Sequence, residues 1–321
     1  MFNVKTKELN IYWANLCILN RMEKERMKVF IKDYQADNKP SPNVIYLGNT
    51  DEVHIYEQMD KDLEAGDIKF DIMISNRFDL FCFRKYLDKY KDKLYPISGI
   101  FPVRDQIKEC GVMDPFGFFY PLIVLPHLIV CNLKLIDAKD VPGSLEELLE
   151  PKWAGKVFIG STELASARSV LFAIWYKFGS KGLETCVRNW RQKSAPSAVR
   201  HGLVKKECPI GILPSIFTGP GPGDILTAVF PKEGVPVLPS YCAVKKTDYS
   251  DEAVNFLSKS AASIDFIAFY KDNGFAYPAT PEVDLPDMFT AETKIFFPDW
   301  DWALKQDIEY FYDACSRVPF E

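Results

Sequence analysis

Two thiols stand where chemistry is conceivable. Cys17 follows the strand-like run Leu9–Trp13, and Cys242 lies inside the strand-like run Val235–Val244, so both can approach a cleft formed at strand ends. A cysteine attacks a substrate or binds metal as its thiolate, which needs a neighbouring base or cation to lower the pKa. Cys17 lies between Leu16 and Ile18 with no such neighbour, and it reads as a small buried hydrophobe. The three histidines, His54, His127 and His201, are far apart and fall in no HExxH or triad order. His127, between Pro126 and Leu128, reads as a core residue. None of the eight cysteines lies closer to another than Cys110 does to Cys131, which excludes CxxC zinc knuckles and ferredoxin-type cluster runs. No catalytic residue, resident cofactor, structural zinc or iron–sulfur cluster is expected.

What remains is polar chemistry at the ends of elements. Strand and helix patterns alternate, which predicts an α/β fold with a mostly parallel sheet. The strands are Leu9–Trp13, Asn43–Leu47 and Phe70–Ser75, separated by helical patterns over Arg21–Tyr34 and Glu52–Ala65. Open parallel sheets gather ligands at the carboxyl ends of their strands. Asn15, Gly48, Asn49, Ser75 and Asn76 fall there. A second block begins with the strand Tyr120–Asn132. A capping box of Ser144 and Glu147 predicts a helix over Leu145–Leu149. The strand Lys156–Ile159 is followed by a helix within Ser161–Phe178, then a Pro/Gly-rich loop over Pro214–Asp224. That loop has neither P-loop nor dinucleotide spacing. Val235–Val244 returns as a strand, Asp251–Tyr270 is helical, and a last helix runs to Cys315.

The chain has 321 residues, enough for two domains, with 47% hydrophobic and 26% charged residues, the mix of a soluble globular protein. Its net charge of −5, with no Lys/Arg block, argues against nucleic-acid binding. The apolar run Tyr120–Cys131 is too short to span a bilayer and is broken by Pro121, Pro126 and His127. The start, MFNVKTKE, has no apolar signal region or cleavage site, which leaves a cytoplasmic chain or a mature form whose leader has been replaced by Met. Reduced thiols are expected, as in a reducing or anaerobic setting.

Three segments together resemble the type 2 periplasmic binding proteins of ABC importers, in the branch grouped with iron and polyamine binders. Tyr120-Pro121-Leu122 through Asn132-Leu133-Lys134, then PGSLEELLEPKWAGK over Pro142–Lys156, is similar to that family's crossing strand and its "SWEELLDPKWKGK" segment. ILPSIFT over Ile212–Thr218 resembles its "MPYFF" strand, and FPKEGVPVLPSYCAVKK over Phe230–Lys246 resembles "PEDGAIVSPIYLLVKK". Asp251–Pro278 looks like the helix that follows. The departures are Ser215 in place of an aromatic, the Pro/Gly-rich Gly219–Asp224, and the absence of any adjacent tyrosine pair, which speaks against a transferrin-like ferric site.

The resemblance implies a two-domain type 2 fold with a ligand cleft. One domain comprises residues 1–119 plus 240–321, the other residues 120–239, and the chain crosses near Tyr120 and again near Pro239-Ser240-Tyr241. It implies capture of a small polar, anionic ligand by hinge closure, an ABC permease as partner, and a monomer outside the cytoplasmic membrane. The expected ligand-binding residues are Trp13, Asn15, Asn49 and Ser75 from the first domain and Ser161, Ser166 and Ser215 from the second, with Tyr120 and Tyr241 at the hinge. Ser161 and Thr162 are read as opening a helix whose free N–H groups favour an anion. Arg168 either pairs a carboxylate or phosphate or lies on a solvated helix face. Two alternatives stand beside this reading: a thiaminase-like enzyme using a cleft cysteine, and a cytoplasmic ligand sensor.

Overall fold

A computed structural model describes residues 8–37, 43–48 and 53–321. The first block alternates as its periodicity demands: β1 (Glu8–Ala14), α1 (Asn20–Asp37), β2 (Asn43–Gly48), α2 (Val53–Ala65) and β3 (Ile72–Ser75). β1 pairs in parallel with both β2 and β3, so the three strands end together at one edge. The short elements α3 (Phe78–Phe81), α4 (Arg84–Tyr90), β4 (Leu94–Tyr95) and α5 (Asp105–Glu109) follow.

β5 (Tyr120–Asn132) is buried at every position, which is why it reads as a continuous apolar run and not as an alternation. Beyond it lie β6 (Val157–Ile159), α6 (Ala165–Asn189), β7 (Arg191–Gln192), α7 (Pro196–Lys205), β8 (Ile210–Pro214) and β9 (Leu226–Val229). β10 (Val235–Lys245) then returns antiparallel to β5. The strand order is β2-β1-β3-β10-β5-β8-β6-β7, so β10 and β5 join two parallel groups. Each of the two changes partner along its length. β5 pairs β10 up to Pro126 and β8 from His127; β10 pairs β5 through Cys242, across a bulge at Ser240/Tyr241, and takes up β3 on its other edge from Tyr241. Proline brings no N–H to a ladder, and Pro126 is the last residue of β5 to pair β10.

Three expectations are corrected locally. Leu145–Leu149 forms only a 3-10 turn over Glu147–Leu149, because Pro151 follows and cannot continue a helix. Half of the capping box forms: the Ser144 hydroxyl accepts from the Glu147 N–H at 3.1 Å, while the Glu147 carboxylate accepts from the Gly143 N–H at 3.0 Å, one residue ahead of the cap. The helix expected within Ser161–Phe178 starts at Ala165 and resumes past a break at Gly179, whose φ of 65° is easy only for glycine. The pattern over Asp251–Tyr270 is two helices, α8 (Ser250–Lys259) and α9 (Ile264–Gly274), the second capped by the Ser263 hydroxyl.

The last stretch holds β11 (Tyr277–Pro278), β12 (Ile295–Phe296), α10 (Trp300–Ala303) and α11 (Ile308–Ser316). Its aromatic content packs against α6. Phe311 lies 5.4 Å from Phe172 and stacks on Trp175 at 5.7 Å, and Trp302 meets Trp175 edge-on at 5.2 Å. Glu321 donates its N–H to the Gln192 carbonyl on β7, so the C-terminal end meets the second parallel group, whereas the expected partition assigns it to the first. Among the described residues, no helix is long and apolar enough to cross a membrane.

Candidate functional site

A cleft of about 500 Å³ opens between the two parallel groups. Its first wall is the carboxyl end of β1, with Tyr12, Ala14 and Asn15, and the turn after β3, with Asn76 and Arg77. Its second wall is the turn Glu163–Leu164 and the start of α6, the start of α7 at Ala195–Ser197, and the 3-10 turn after β8. Leu125 of β5 and Leu238 of β10 line it as well. The first wall thus lies at the carboxyl ends of β1 and β3, where open parallel sheets gather ligands.

Two helices begin on this cleft with no side chain capping them. The residue before α6 is Leu164 and the residue before α7 is Ala195, and neither can accept from the first-turn N–H groups. Pro196 stands at the first turn of α7, where its missing N–H costs nothing. Opposite them, Asn15 is 5% exposed, and neither its Oδ1 nor its Nδ2 has a hydrogen-bond partner of ordinary geometry, although the Tyr270 hydroxyl lies near it. An unmatched buried amide beside a cavity is a group set aside for something else to bond.

Ser166, in the first turn of α6, lines the cleft, and its hydroxyl bonds His127 Nε2 at 2.8 Å. Burial pushes the His127 imidazole down to about 3, so the ring is neutral and holds Ser166 by a hydrogen bond without adding charge. Ser75 is buried and does not line the cleft; its hydroxyl accepts from the Arg77 N–H at 3.2 Å, shaping the turn that presents Asn76 and Arg77.

The other expected residues lie elsewhere. Trp13 is fully buried, and its indole N–H donates to Glu23 at 2.7 Å, so its ring is core and not a cleft wall. Ser215 is turned away from the cavity, donating to the Phe275 carbonyl at 2.8 Å, although its neighbours Pro214 and Ile216 line the cleft. Ser161 and Thr162 do not open the helix; Ser161 faces a separate surface pocket of about 340 Å³ with Gln192 and Tyr312. The Tyr120 hydroxyl donates to the Pro102 carbonyl at 3.1 Å and that of Tyr241 to the Val112 carbonyl at 2.6 Å; both rings are buried beside the crossings. Asn49 lies outside the described residues, as does the side chain of Cys17.

Arg168 does pair a carboxylate, but one of the protein's own and not a ligand's, and it is not on a solvated face. It is buried, and its guanidinium meets the Asp79 carboxylate of α3 at 2.9 Å while donating to the Thr162 and Glu163 carbonyls. Asp79 also accepts from Arg77 Nε at 3.2 Å and from the Tyr312 hydroxyl at 2.9 Å. Burial alone would raise this carboxyl, but the facing guanidinium groups of Arg168 and Arg77 outweigh it and hold it down to about 2. Arg77 bonds Asp60 too, so its charge is matched within the protein. Seven described cysteines are free and buried. Burial pushes the Cys242 thiol well above its ordinary range, the opposite of an activated nucleophile. Among the described residues, no three His, Cys, Asp or Glu side chains are grouped to hold a metal ion.

Sequence reasoning passed over Arg77, Asp60 and the start of α7. Arg77 follows directly on a strand end, and Pro196 is a helix-start signal, so both carried a readable mark. Asp60 sits mid-helix with no such mark.

A family model described as bacterial extracellular solute-binding protein matches residues 67–306. No curated protein matches the chain. Among solved structures, the chain is similar to a ferric binding protein from Campylobacter jejuni, at 17% identity and a TM-score of 0.69, covering 98% of this chain and 100% of that one. It is similar to iron-bound HitA from Pseudomonas aeruginosa at 13% identity and a TM-score of 0.71, covering 97% and 99%. It is also similar to the periplasmic binding protein AfuA from Actinobacillus pleuropneumoniae, with fructose-6-phosphate bound, at 12% identity and a TM-score of 0.66, covering 98% and 99%. At such identities the likeness is one of fold, that of the two-domain periplasmic binding proteins.

Proposed function

The chain belongs to the bacterial extracellular solute-binding proteins, and on that premise we propose that its cleft captures a small ligand carrying an anionic group and closes over it. One observation carries the charge: the uncapped starts of α6 and α7 both line the cleft. Free N–H groups at helix starts, with the positive end of the helix dipole behind them, make an anion site. Asn15 and Ser166 supply neutral hydrogen bonds from opposite walls, while Ser75 and His127 position the groups that touch the ligand.

The hinge of this reading is the pair β5 and β10, at Pro126/His127 and at the Ser240/Tyr241 bulge. It divides the chain into 1–119 plus 240–321 and 120–239. A ligand bridging both walls favours the closed form by its differential affinity. In this role the protein is a monomer delivering its ligand to an ABC permease outside the cytoplasmic membrane, and it carries out no catalysis. The buried Cys242 supports that view, because a thiaminase-like enzyme needs a reactive cleft thiol.

Native mass spectrometry of freshly purified protein tests the capture directly, and the ligand found should raise the melting temperature by mass action. Asn15→Ala together with Ser166→Ala should remove most of that rise. A double variant that binds the same ligand as tightly as the parent would place the site elsewhere.

A further inference from the structure

The cleft is built for more than an anionic head. Its walls carry Leu16, Leu125, Leu164, Ile216, Phe217 and Leu238, side chains with no donor or acceptor to offer. Leu164 is 38% exposed at the very start of α6, where it meets solvent beside the helix N–H groups. Such apolar surface beside a cavity is normally covered by a ligand. Of the charged lining groups, Arg77 is bonded by Asp60 and Asp79, while Glu163, exposed just ahead of the start of α6, keeps its carboxylate toward solvent. The polar lining groups without a side-chain hydrogen bond of ordinary geometry are the two helix starts and the side chains of Asn15, Asn76 and Ser197.

We propose, resting on the solute-binding reading of this cleft, that the ligand is an amphipathic monocarboxylate: one carboxylate held at the starts of α6 and α7, and an apolar body of four or more carbons held by the leucine, isoleucine and phenylalanine wall. A polyol would leave its hydroxyls unbonded against that wall, and burying unpaired polar groups is costly. A ferric ion needs several hard oxygen ligands together. Tyr12 is the single tyrosine among the described lining residues, and no acidic group of three stands by it. The cavity of about 500 Å³ falls in the size range of small-molecule pockets.

Titration calorimetry with butanoate, hexanoate and octanoate tests the proposal, with hexanol, fructose 6-phosphate, inorganic phosphate and ferric citrate as comparisons. Affinity should rise about fourfold for each added methylene, the value of moving that group out of water. Hexanol should bind at least about tenfold more weakly than hexanoate, because it brings no charge to the helix starts. Ile216→Asn and Phe217→Asn should flatten the chain-length dependence. A flat series, or hexanol binding as well as hexanoate, overturns the proposal. Binding of only a phosphate ester or ferric citrate overturns it while leaving solute capture standing. If no compound binds and native mass spectrometry finds no co-purified small molecule, both readings fall together.

Discussion

At the scale of single residues, Glu23 is the side chain whose surroundings conflict most with its ordinary chemistry. It is fully buried under the end of β1, where Trp13 and Tyr270 donate to its carboxylate. Burial raises its pKa from 4.5 to about 7, against the lowering effect of the Tyr270 and Trp13 hydrogen bonds. The folded chain thus keeps this proton after the unfolded chain has lost it. The resulting stability is complete below pH 4.5, falls as pH rises, and is gone above about 7. The shift corresponds to roughly 3 kcal/mol. Glu23→Gln should therefore be more stable than the parent at pH 8, with the gap closing by pH 5, as urea melts at the two pH values will show. An unchanged gap would mean that Glu23 is ionised throughout. Cys242 gives a second residue-level expectation. Mild alkylation of the native protein should leave it unmodified, since its thiol is both buried and far from ionisation. Rapid labelling at Cys242, read by peptide mass spectrometry, would revive the cysteine-enzyme alternative.

At the scale of elements, the contact of α3 with α6 is the joint that links the two walls of the cleft. Asp79 on α3 is fully buried and holds Arg168 on α6, Arg77 at the cleft edge and Tyr312 on α11. Phe78 on the same short helix packs on Phe172 at 5.3 Å. Removing one partner of a buried ion pair strands the other, at about 3–5 kcal/mol. Asp79→Asn should cost about that much in a denaturant melt at pH 7. Asp79→Asn with Arg168→Met should recover part of the loss, because no unpaired charge is then left inside. A double variant no more stable than Asp79→Asn would mean that the pair is not the element that matters. The pH dependence runs opposite to that of Glu23. Asp79 is depressed to about 2, so its contribution is present above its ordinary 3.8 and is lost as pH falls from there toward 2. Acid should loosen this joint first.

At the scale of the whole molecule, β5 and β10 carry every strand-to-strand link between the two parallel groups in the described order of the sheet. A molecule joined by two long strands with pairing irregularities can bend there without unpairing its parallel groups. A ligand that raises the melting temperature should also compact the protein, seen as a smaller radius of gyration in solution scattering. Binding without compaction would contradict hinge closure. The C-terminal aromatic stretch works the other way, fastening α11 to α6 through Phe311, Trp175 and Phe172. Closure must keep that packing or slide along it.

The sequence by itself determined the order of the main elements, from β1 to β3, through β5 and the helix after β6, to β10 and the last helix. Apolar patterning marks β1 and α1, and continuous apolar runs mark β5 and β10, because burial is a local property of a strand or helix face. It also located the turns after β1 and β3, since polar residues after an apolar run are visible in one dimension. Asn15 and Ser166, expected at the site from these signals and from the family resemblance, do line the cleft. Only the tertiary structure decided which way each side chain faces and what it meets there. Trp13 lies two residues from Asn15, yet the first is core and the second lines the cavity, because β1 ends at Ala14 and the strand geometry that would put both on one face stops between them. Arg168 found Asp79 far away in the chain, a pairing that no spacing rule reports. Ser161 lost the helix start to Leu164 and Ala165 by one turn, which moved it to a different pocket. The apolar wall is assembled from five separate stretches of chain, so its character exists only once they are folded together.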